Sequence, residues 1–300
     1  MAIDTPGPRE PGSTDPTRRD DDRPDRDNPE SVPTIRDSGG PNPSSEPTTV
    51  RLTAFRDWSI VRPFAAEGGE ADLFLVANRG RQRILKLYRY GITPNLLILE
   101  KISALSETFP ERFARLWEHG LDADSKRYFE LMEWYSQGSL KDLRSRRTFS
   151  ESELMTLVRE LHEIISTLHR QGILHLDLKP GNLLIRSEKP LNLILTDFGI
   201  ASNLDREFSK KHTQVKGTSL YQSPESISGT VGQKSDWWAL GIMVLEMVTG
   251  QHPFESLKRE QVFYRLTTMP VPIHESVKGR WRTLAMGLLT GSAAGFVEQR

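Results

Sequence analysis

Between Trp58 and Glu133 the chain alternates short apolar runs with polar breaks, and beyond that point the apolar residues recur at helical spacing. Trp58 to Phe64 reads as a first strand. Ala66 to Asp72 carries Gly68 and Gly69 and leads into Leu73-Phe74-Leu75-Val76, which predicts a glycine-bearing hairpin. Arg83 to Tyr88 is a strand with one lysine, Lys86, in an apolar setting. Thr93-Pro94 is a good N-cap and first-turn pair for a helix. Leu96 and Leu97 then place Glu100, three and four residues on, on or beside the apolar stripe, so Lys86 and Glu100 are expected to form a buried ion pair, with Glu107 as the other candidate. Arg127 to Glu133 is another strand, broken by Trp134 to Gly138, after which Ser139-Leu140 opens a helix.

Ser150-x-x-Glu153 is a capping box, and Leu154, Leu157, Val158, Leu161, Ile164, Ile165 and Leu168 follow at helical spacing as far as Gln171-Gly172. His162 and His169 lie on this helix without metal-ligand spacing and are expected at its surface or boundary. Ser235 to Gly241 opens an almost wholly apolar helix, as expected for one buried on all sides, with Gly250 at its end.

Residues 1–52 follow neither pattern. About half of the 19 prolines fall there, among Asp, Arg, Ser and Gly, and such a segment cannot bury enough surface to offset its ordering entropy. It reads as a disordered leader, with a docking or regulatory role as the lesser alternative. The formal net charge is zero, so no nucleic-acid or anionic-membrane partner is called for. The absence of cysteine excludes disulfides, thiolate metal sites and cysteine nucleophiles, and fits a reducing compartment. The start has no apolar signal region, and the run from Trp237 to Val248 is too short and too charged to span a bilayer. The expectation is a cytoplasmic protein.

The candidate chemistry sits in Ile173 to Ile185, where His175, Asp177, Lys179 and Asn182 are framed by aliphatic runs. One carboxylate orients a hydroxyl, one ammonium steadies a moving phosphate, and one amide oxygen helps to hold a metal. Fifteen residues past Asn182 comes Asp197-Phe198-Gly199, after the apolar run Leu193 to Leu195. The two segments in this order resemble the catalytic loop and the metal-binding Asp-Phe-Gly of eukaryotic-type serine/threonine protein kinases. Other parts are similar in turn. Gly68 keeps its place in the glycine-rich loop, with Gly69 beside it, while Ala66 and Ala71 stand where glycines are usual and Leu73 where valine is. Lys86 and Glu100 resemble the strand-lysine and helix-glutamate pair. Met132, Glu133 and Tyr135 resemble the hinge, and Gly217-Thr218 with Ser223-Pro224-Glu225 the end of the activation segment.

The resemblance implies an α+β, two-lobed kinase fold: a disordered tail over 1–52, a sheet-rich nucleotide-binding N-lobe over 53–133 and a helical C-lobe over 134–300, divergent or truncated at its end. It implies ATP and Mg²⁺ as cofactors and protein substrates with Ser/Thr acceptors, and leaves the oligomeric state open. Asp177 would be the base, Lys179 would neutralise the transferring phosphate, and Thr218 would contact the catalytic aspartate. Asn182 and Asp197 would hold magnesium. Lys86, held by Glu100, would bind phosphates, alongside Ala66, Gly68, Gly69 and Leu73 of the loop, and the backbone at Glu133 and Tyr135 would meet adenine. Asp236 would cap its helix and brace the catalytic loop. Leu176 replaces the arginine that in the family often pairs with an activation-segment phosphate, and Thr290 to Phe296 shows no counterpart of the family's C-terminal arginine. Two alternatives remain: a small-molecule phosphotransferase, which would not be expected to carry Gly217-Thr218, Pro224-Glu225 and Asp236 to Gly241 together, and a catalytically weak or dead pseudokinase acting as a scaffold.

Overall fold

Five antiparallel strands come first, in the order β1-β2-β3-β5-β4. They are β1 (Ser59–Pro63), β2 (Ala71–Asn78), β3 (Arg81–Tyr88), β4 (Leu116–Leu121) and β5 (Tyr128–Glu133). The computed structural model describes residues 57–64, 69–199, 201–203, 220–227 and 229–290. The predicted tail, Ala66, Gly68, Thr218 and the segment with Ser209 and Thr213 lie outside the described residues. β2 and β3 are joined by Arg79-Gly80, both at positive φ (46° and 78°), the backbone that a two-residue hairpin needs to match strand twist.

Alternation then sorts the sheet into two faces. Ile60, Val76, Leu85, Leu87, Phe129 and Leu131 pack together as one buried cluster. Their neighbours Lys86, Tyr88, Glu130 and Met132 fall on the opposite face. Because β3 and β5 are in register with Lys86 opposite Glu130, that second face begins with a lysine–glutamate cross-strand pair.

Helix α1 (Leu96–Thr108) starts two residues later than its Thr-Pro sequence suggests. Its N-cap is Asn95, whose side chain accepts from the Ile98 N–H. The apolar stripe it buries is Ile98, Leu99, Ile102 and Leu105. Leu96 and Leu97, which the sequence reading took as the inward face, are 39% and 51% exposed. Two overlapping stripes compete on this helix, and the longer one faces the protein.

The rest of the described chain is mostly helical. A reciprocal capping box between Ser139 and Asp142 starts α2 (Leu140–Arg146), and one between Ser150 and Glu153 starts α3 (Glu151–Arg170). Short strands β6 (Ile173–Leu174), β7 (Leu183–Glu188), β8 (Leu191–Leu195) and β9 (Ser202–Asn203) form two two-stranded ribbons, β6 with β9 and β7 with β8. Helices α4 (Pro224–Ile227), α5 (Gln233–Thr249), α6 (Arg259–Thr268) and α7 (Gly279–Leu289) complete the order. Leu240, Ile242, Met243 and Val244 on α5 are wholly inaccessible, as its apolar composition requires. Gly241 lets α7 approach: a Cβ there would come within 3.1 Å of Leu288 and Leu289. No helix among the described residues is long and apolar enough to cross a membrane.

One charge is buried within this apolar helix. Glu246, 2% exposed, forms an ion pair with Arg144 of α2 at 2.5 Å and accepts the Tyr221 hydroxyl at 2.5 Å. The pair ties α2, α5 and the chain before α4 together. Burial pushes the Glu246 carboxyl up despite Tyr221 and Arg144. Burial, with Arg144 nearby, pulls His252 down to about 4. Removing Arg144 strands Glu246 as a lone buried anion, so Arg144→Met is expected to cost about 3 kcal/mol at pH 8. Without the cation both Glu246 and His252 bind protons more readily in the folded state. Folded-state pKa values raised relative to wild type make the variant's deficit grow as pH rises, so it should shrink at pH 5. Urea unfolding of wild type and variant at the two pH values measures both, and an equal deficit at each would contradict it.

Candidate active site

The polar side chains singled out between Ile173 and Gly199 converge where the small ribbons meet the five-stranded sheet. β6 delivers the chain to His175, and β7 carries it away after Asn182. His175 is wholly buried, and its ring ties the two segments: Nδ1 accepts the Asp177 N–H at 3.2 Å, and Nε2 lies 3.1 Å from the Thr196 carbonyl. With Nδ1 accepting, Nε2 carries the proton that Thr196 receives. The His175 ring also packs edge-on against Phe198.

Within the loop Asp177 is held from two sides. Lys179 Nζ donates to its Oδ2 at 2.7 Å, and Asn182 Nδ2 donates to the same oxygen at 3.0 Å and to its backbone carbonyl at 2.8 Å. Both Asn182 amide hydrogens are thereby turned toward Asp177, and its amide oxygen is left as an acceptor for something else. The Asn182 carbonyl accepts the Thr196 N–H, which fastens the loop to the chain just before Asp197.

Asp197 and Leu176 both have positive φ, 64° and 67°. Neither is glycine, and a branched leucine in this region costs on the order of 1–3 kcal/mol. What holds Leu176 there is Asp236 of α5, 1% exposed, whose two oxygens accept from Leu176 N–H (2.8 Å), His175 N–H (3.0 Å) and His169 Nε2 (2.9 Å). The expected bracing by Asp236 is observed, but the expected cap is not: the N-cap of α5 is Gly232, and the Asp236 carboxylate is spent on the loop. His169 is corrected with it. It is 8% exposed, not a surface residue, because it turns inward to this carboxylate. His162 stacks on Trp237.

The sheet contributes Lys86. Its Nζ donates to Asp197 Oδ1 at 2.6 Å and lies 3.8 Å from Glu130 Oε1. Burial opposes the ammonium, yet the Asp197 and Glu130 carboxylates outweigh it and hold its pKa well above the usual lysine value. Reciprocally, the Lys86 charge outweighs burial and draws the Asp197 carboxyl down to about 2, so it is an anion at neutral pH. The Asp197 side chain is nevertheless 42% exposed.

The expected Lys86–Glu100 pair is not formed. Glu100 is exposed on α1, on the same face as Leu96 and Leu97, and among the described residues no hydrogen bond or ion pair reaches its side chain. Glu107 does not replace it: it pairs with Arg115 at 2.5 Å. Glu130 was missed because it sits between Phe129 and Leu131 in a strand that reads as hinge-proximal packing. The signal that could have found it is its position two residues before Met132, on the face that Lys86 shares.

Leu73 is opposite Lys86 in the β2–β3 register, and Gly69 ends the described side of the loop. At the strand end, Met132 Sδ meets Thr196 Oγ1 at 4.0 Å. Glu133 is tied by Arg83 (3.1 Å) and Trp117 (2.8 Å), and its N–H donates to the Arg115 carbonyl. Of its backbone groups only the carbonyl could therefore serve a base. Ser235 Oγ lies 3.5 Å from Glu225 Oε1 near the start of α5.

A chain that places a lysine from a sheet on one aspartate, and a lysine and an asparagine on another, has the arrangement of a protein kinase cleft. The sequence pattern of the protein kinase domain matches residues 99–290, more than half of the chain, and the chain belongs to that family. It is similar to a "Probable serine/threonine-protein kinase" of Dictyostelium discoideum, 28% identical over 240 residues, covering 77% of this chain and 51% of that protein. It is also similar to serine/threonine-protein kinase shk1/pak1 of Schizosaccharomyces pombe, 34% identical over 143 residues, 47% of this chain and 21% of that protein. A third relative, serine/threonine-protein kinase ste20 of Aspergillus oryzae, is 32% identical over 155 residues, 51% of this chain and 17% of that protein. The chain thus spans about half of the first of these relatives and about a fifth of the other two. The matched family region begins inside α1, so Lys86 and the glycine-bearing turn lie before it.

Asp236 is the support whose loss the site should feel first. Asp236→Asn keeps the shape but turns one acceptor into a donor facing backbone N–H groups. It is expected to lower stability by about 3 kcal/mol. In a protein that still folds at 15 °C, hydrogen exchange at the amides of His175 and Leu176 should rise well above that of the α5 core. Uniform exchange across both would show that Asp236 only supports the fold.

Proposed function

We propose that this chain transfers the γ-phosphoryl group of Mg-ATP to serine or threonine hydroxyls of protein substrates. The observation that carries the reading is the fixing of Asp177, with one oxygen engaged by Lys179 and Asn182 and the other without a hydrogen bond among the described residues. A carboxylate so fixed can accept the proton of an incoming hydroxyl. Lys179, 2.7 Å from it, is placed to offset charge on a phosphoryl group arriving at the same point. Family membership and the serine/threonine kinases among its relatives support the reaction class.

The donor set fits magnesium. Asp197 is ionised and partly exposed, and Asn182 has an uncommitted amide oxygen, so the protein offers two hard oxygen ligands. Mg²⁺ in nucleotide sites takes one or two protein oxygens and completes its shell with phosphates and water. Bound there, the ion would neutralise phosphate charge. Lys86 would then exchange its bond to Asp197 for one to phosphate oxygens, which a lysine in a sheet can do by a rotamer change. The Glu133 carbonyl and the Tyr135 backbone would face the base. Ala66, Gly68, Gly69 and Leu73 would cover the nucleotide, and Thr218 would approach Asp177. Leu176 offers no charge to a phosphate on the activation segment, so its phosphorylation would not act through this residue.

The test is transfer of labelled γ-phosphate from ATP to a generic basic protein in the presence of magnesium. Asp177→Asn is expected to cut the rate by at least about a thousandfold while changing ATP affinity by less than about threefold, because the phosphate site survives. Equal turnover in the variant would remove Asp177 from the mechanism. A wild-type protein that binds Mg-ATP but transfers nothing would leave the chain a non-catalytic scaffold. Mutating Ser209 and Thr213 together to alanine should leave initial rates within about tenfold, a barrier change under about 1.4 kcal/mol. A larger loss would show that activation-segment phosphorylation matters despite Leu176.

A further inference from the structure

We infer that Glu130 of β5, not a carboxylate on helix α1, is the anion that positions Lys86 for nucleotide. This rests on the proposed reading of the cleft as a Mg-ATP site. Lys86 is shared between Asp197 and Glu130. Once Asp197 turns to a metal, Lys86 needs another anion, or a buried ammonium is held only by the ligand it is meant to grip.

Glu130 is built for that task. It stands directly across the β3–β5 ladder from Lys86, and the two side chains are 4% and 9% exposed. Tyr88, two residues after Lys86 and on the same face, donates its hydroxyl to Glu130 Oε1 and fixes the carboxylate. The Lys86 ammonium also lies 5.1 Å from the Tyr88 ring centroid. A buried glutamate with a hydroxyl and an ammonium as neighbours is a satisfied anion. Without Lys86 it would be a costly one. On α1, by contrast, the inward stripe is Ile98, Leu99, Ile102 and Leu105, and Glu100 faces outward.

The consequence concerns control as well as binding. An anchor on a neighbouring strand is fixed by the sheet's own hydrogen bonds, so a shift of α1 does not withdraw it. Lys86 is then held whenever the sheet is folded. Switching of this chain through movement of α1 would have to act on something other than the Lys86 ion pair.

The experiment measures ATP and ADP binding by calorimetry with and without magnesium, beside phosphate transfer, for wild type, Glu130→Gln, Glu130→Asp, Glu100→Gln and Lys86→Met. Glu130→Gln preserves shape and the Tyr88 bond. It is expected to weaken binding of both nucleotides about tenfold, whereas Glu100→Gln stays within about twofold. Glu130→Asp, which retains the charge, should recover part of the loss. Because Glu130 acts through Lys86, adding Glu130→Gln to Lys86→Met should weaken binding no further. A merely structural glutamate would give additive losses.

The inference is overturned by a tenfold loss in Glu100→Gln, by unchanged binding in Glu130→Gln, or by additivity with Lys86→Met. If Glu130→Gln fails to fold, Glu100→Gln and Glu130→Asp decide: a partial loss in Glu130→Asp with Glu100→Gln within about twofold upholds the inference, and unchanged binding in Glu130→Asp or a tenfold loss in Glu100→Gln ends it. Failure of wild type to bind ATP would strike the proposed function, whereas tight binding by wild type with any of the overturning patterns strikes Glu130 alone.

Discussion

The buried carboxylate of Asp236 is the constraint on which the cleft depends. It joins three pieces of chain with no reason of their own to meet: α5, which carries it, the end of α3 through His169, and the backbone at His175 and Leu176. A carboxylate 1% exposed is tolerable only when its oxygens are fully engaged, and here backbone N–H groups do much of that work. In return the loop is held at a left-handed leucine that it would not otherwise adopt. From that point the chain has one course, through Asp177 and Asn182 to β7, and the imidazole of His175 fixes the approach of Asp197.

The same logic operates three times. Asp236, Glu246 and Glu130 are all buried acids, and each holds elements that lie far apart in sequence. Glu246 links α2, α5 and Tyr221. Glu130 links two strands of the sheet and reaches the lysine on which the cleft turns. In each case the donors come from other elements (backbone N–H groups and an imidazole for Asp236, a cation and a hydroxyl for Glu246 and Glu130), and the arrangement strongly disfavours packings that separate the partners. The apolar cores around them allow many packings, and these acids select among them.

The two sides of the cleft differ in how they are fixed. On the helical side the polar groups are locked into one another: Lys179 and Asn182 on Asp177, His175 on Thr196. On the sheet side Lys86 has two possible anions and one long side chain. The Lys86–Asp197 pair bridges the two sides, and it is the contact that the proposed binding of nucleotide would open. Pairing also explains why Asp197 stays charged despite its burial: the ammonium at 2.6 Å, not solvent alone, stabilises the anion.

Much of this was legible in the chain. The strand and helix order followed from periodicity, because alternation and 3.6-residue spacing follow directly from backbone geometry. Ser139 and Ser150 announced their helices through local side-chain to backbone bonds. Asp177, Lys179, Asn182 and Asp197 were visible because polar residues stood where neighbours were apolar. What the sequence could not decide were relations between elements. Helix α1 offered two apolar stripes of similar strength, and only packing against the rest of the protein chose the one that turns Glu100 outward. His169 looked like a surface or boundary histidine until α5 brought Asp236 to it, and Arg144 had no visible link to Glu246, about a hundred residues away in the chain. Glu130 was hidden for the same reason: its significance lies in the β3–β5 register, which is set by how two distant strands pair, and local patterns carry no information about that choice.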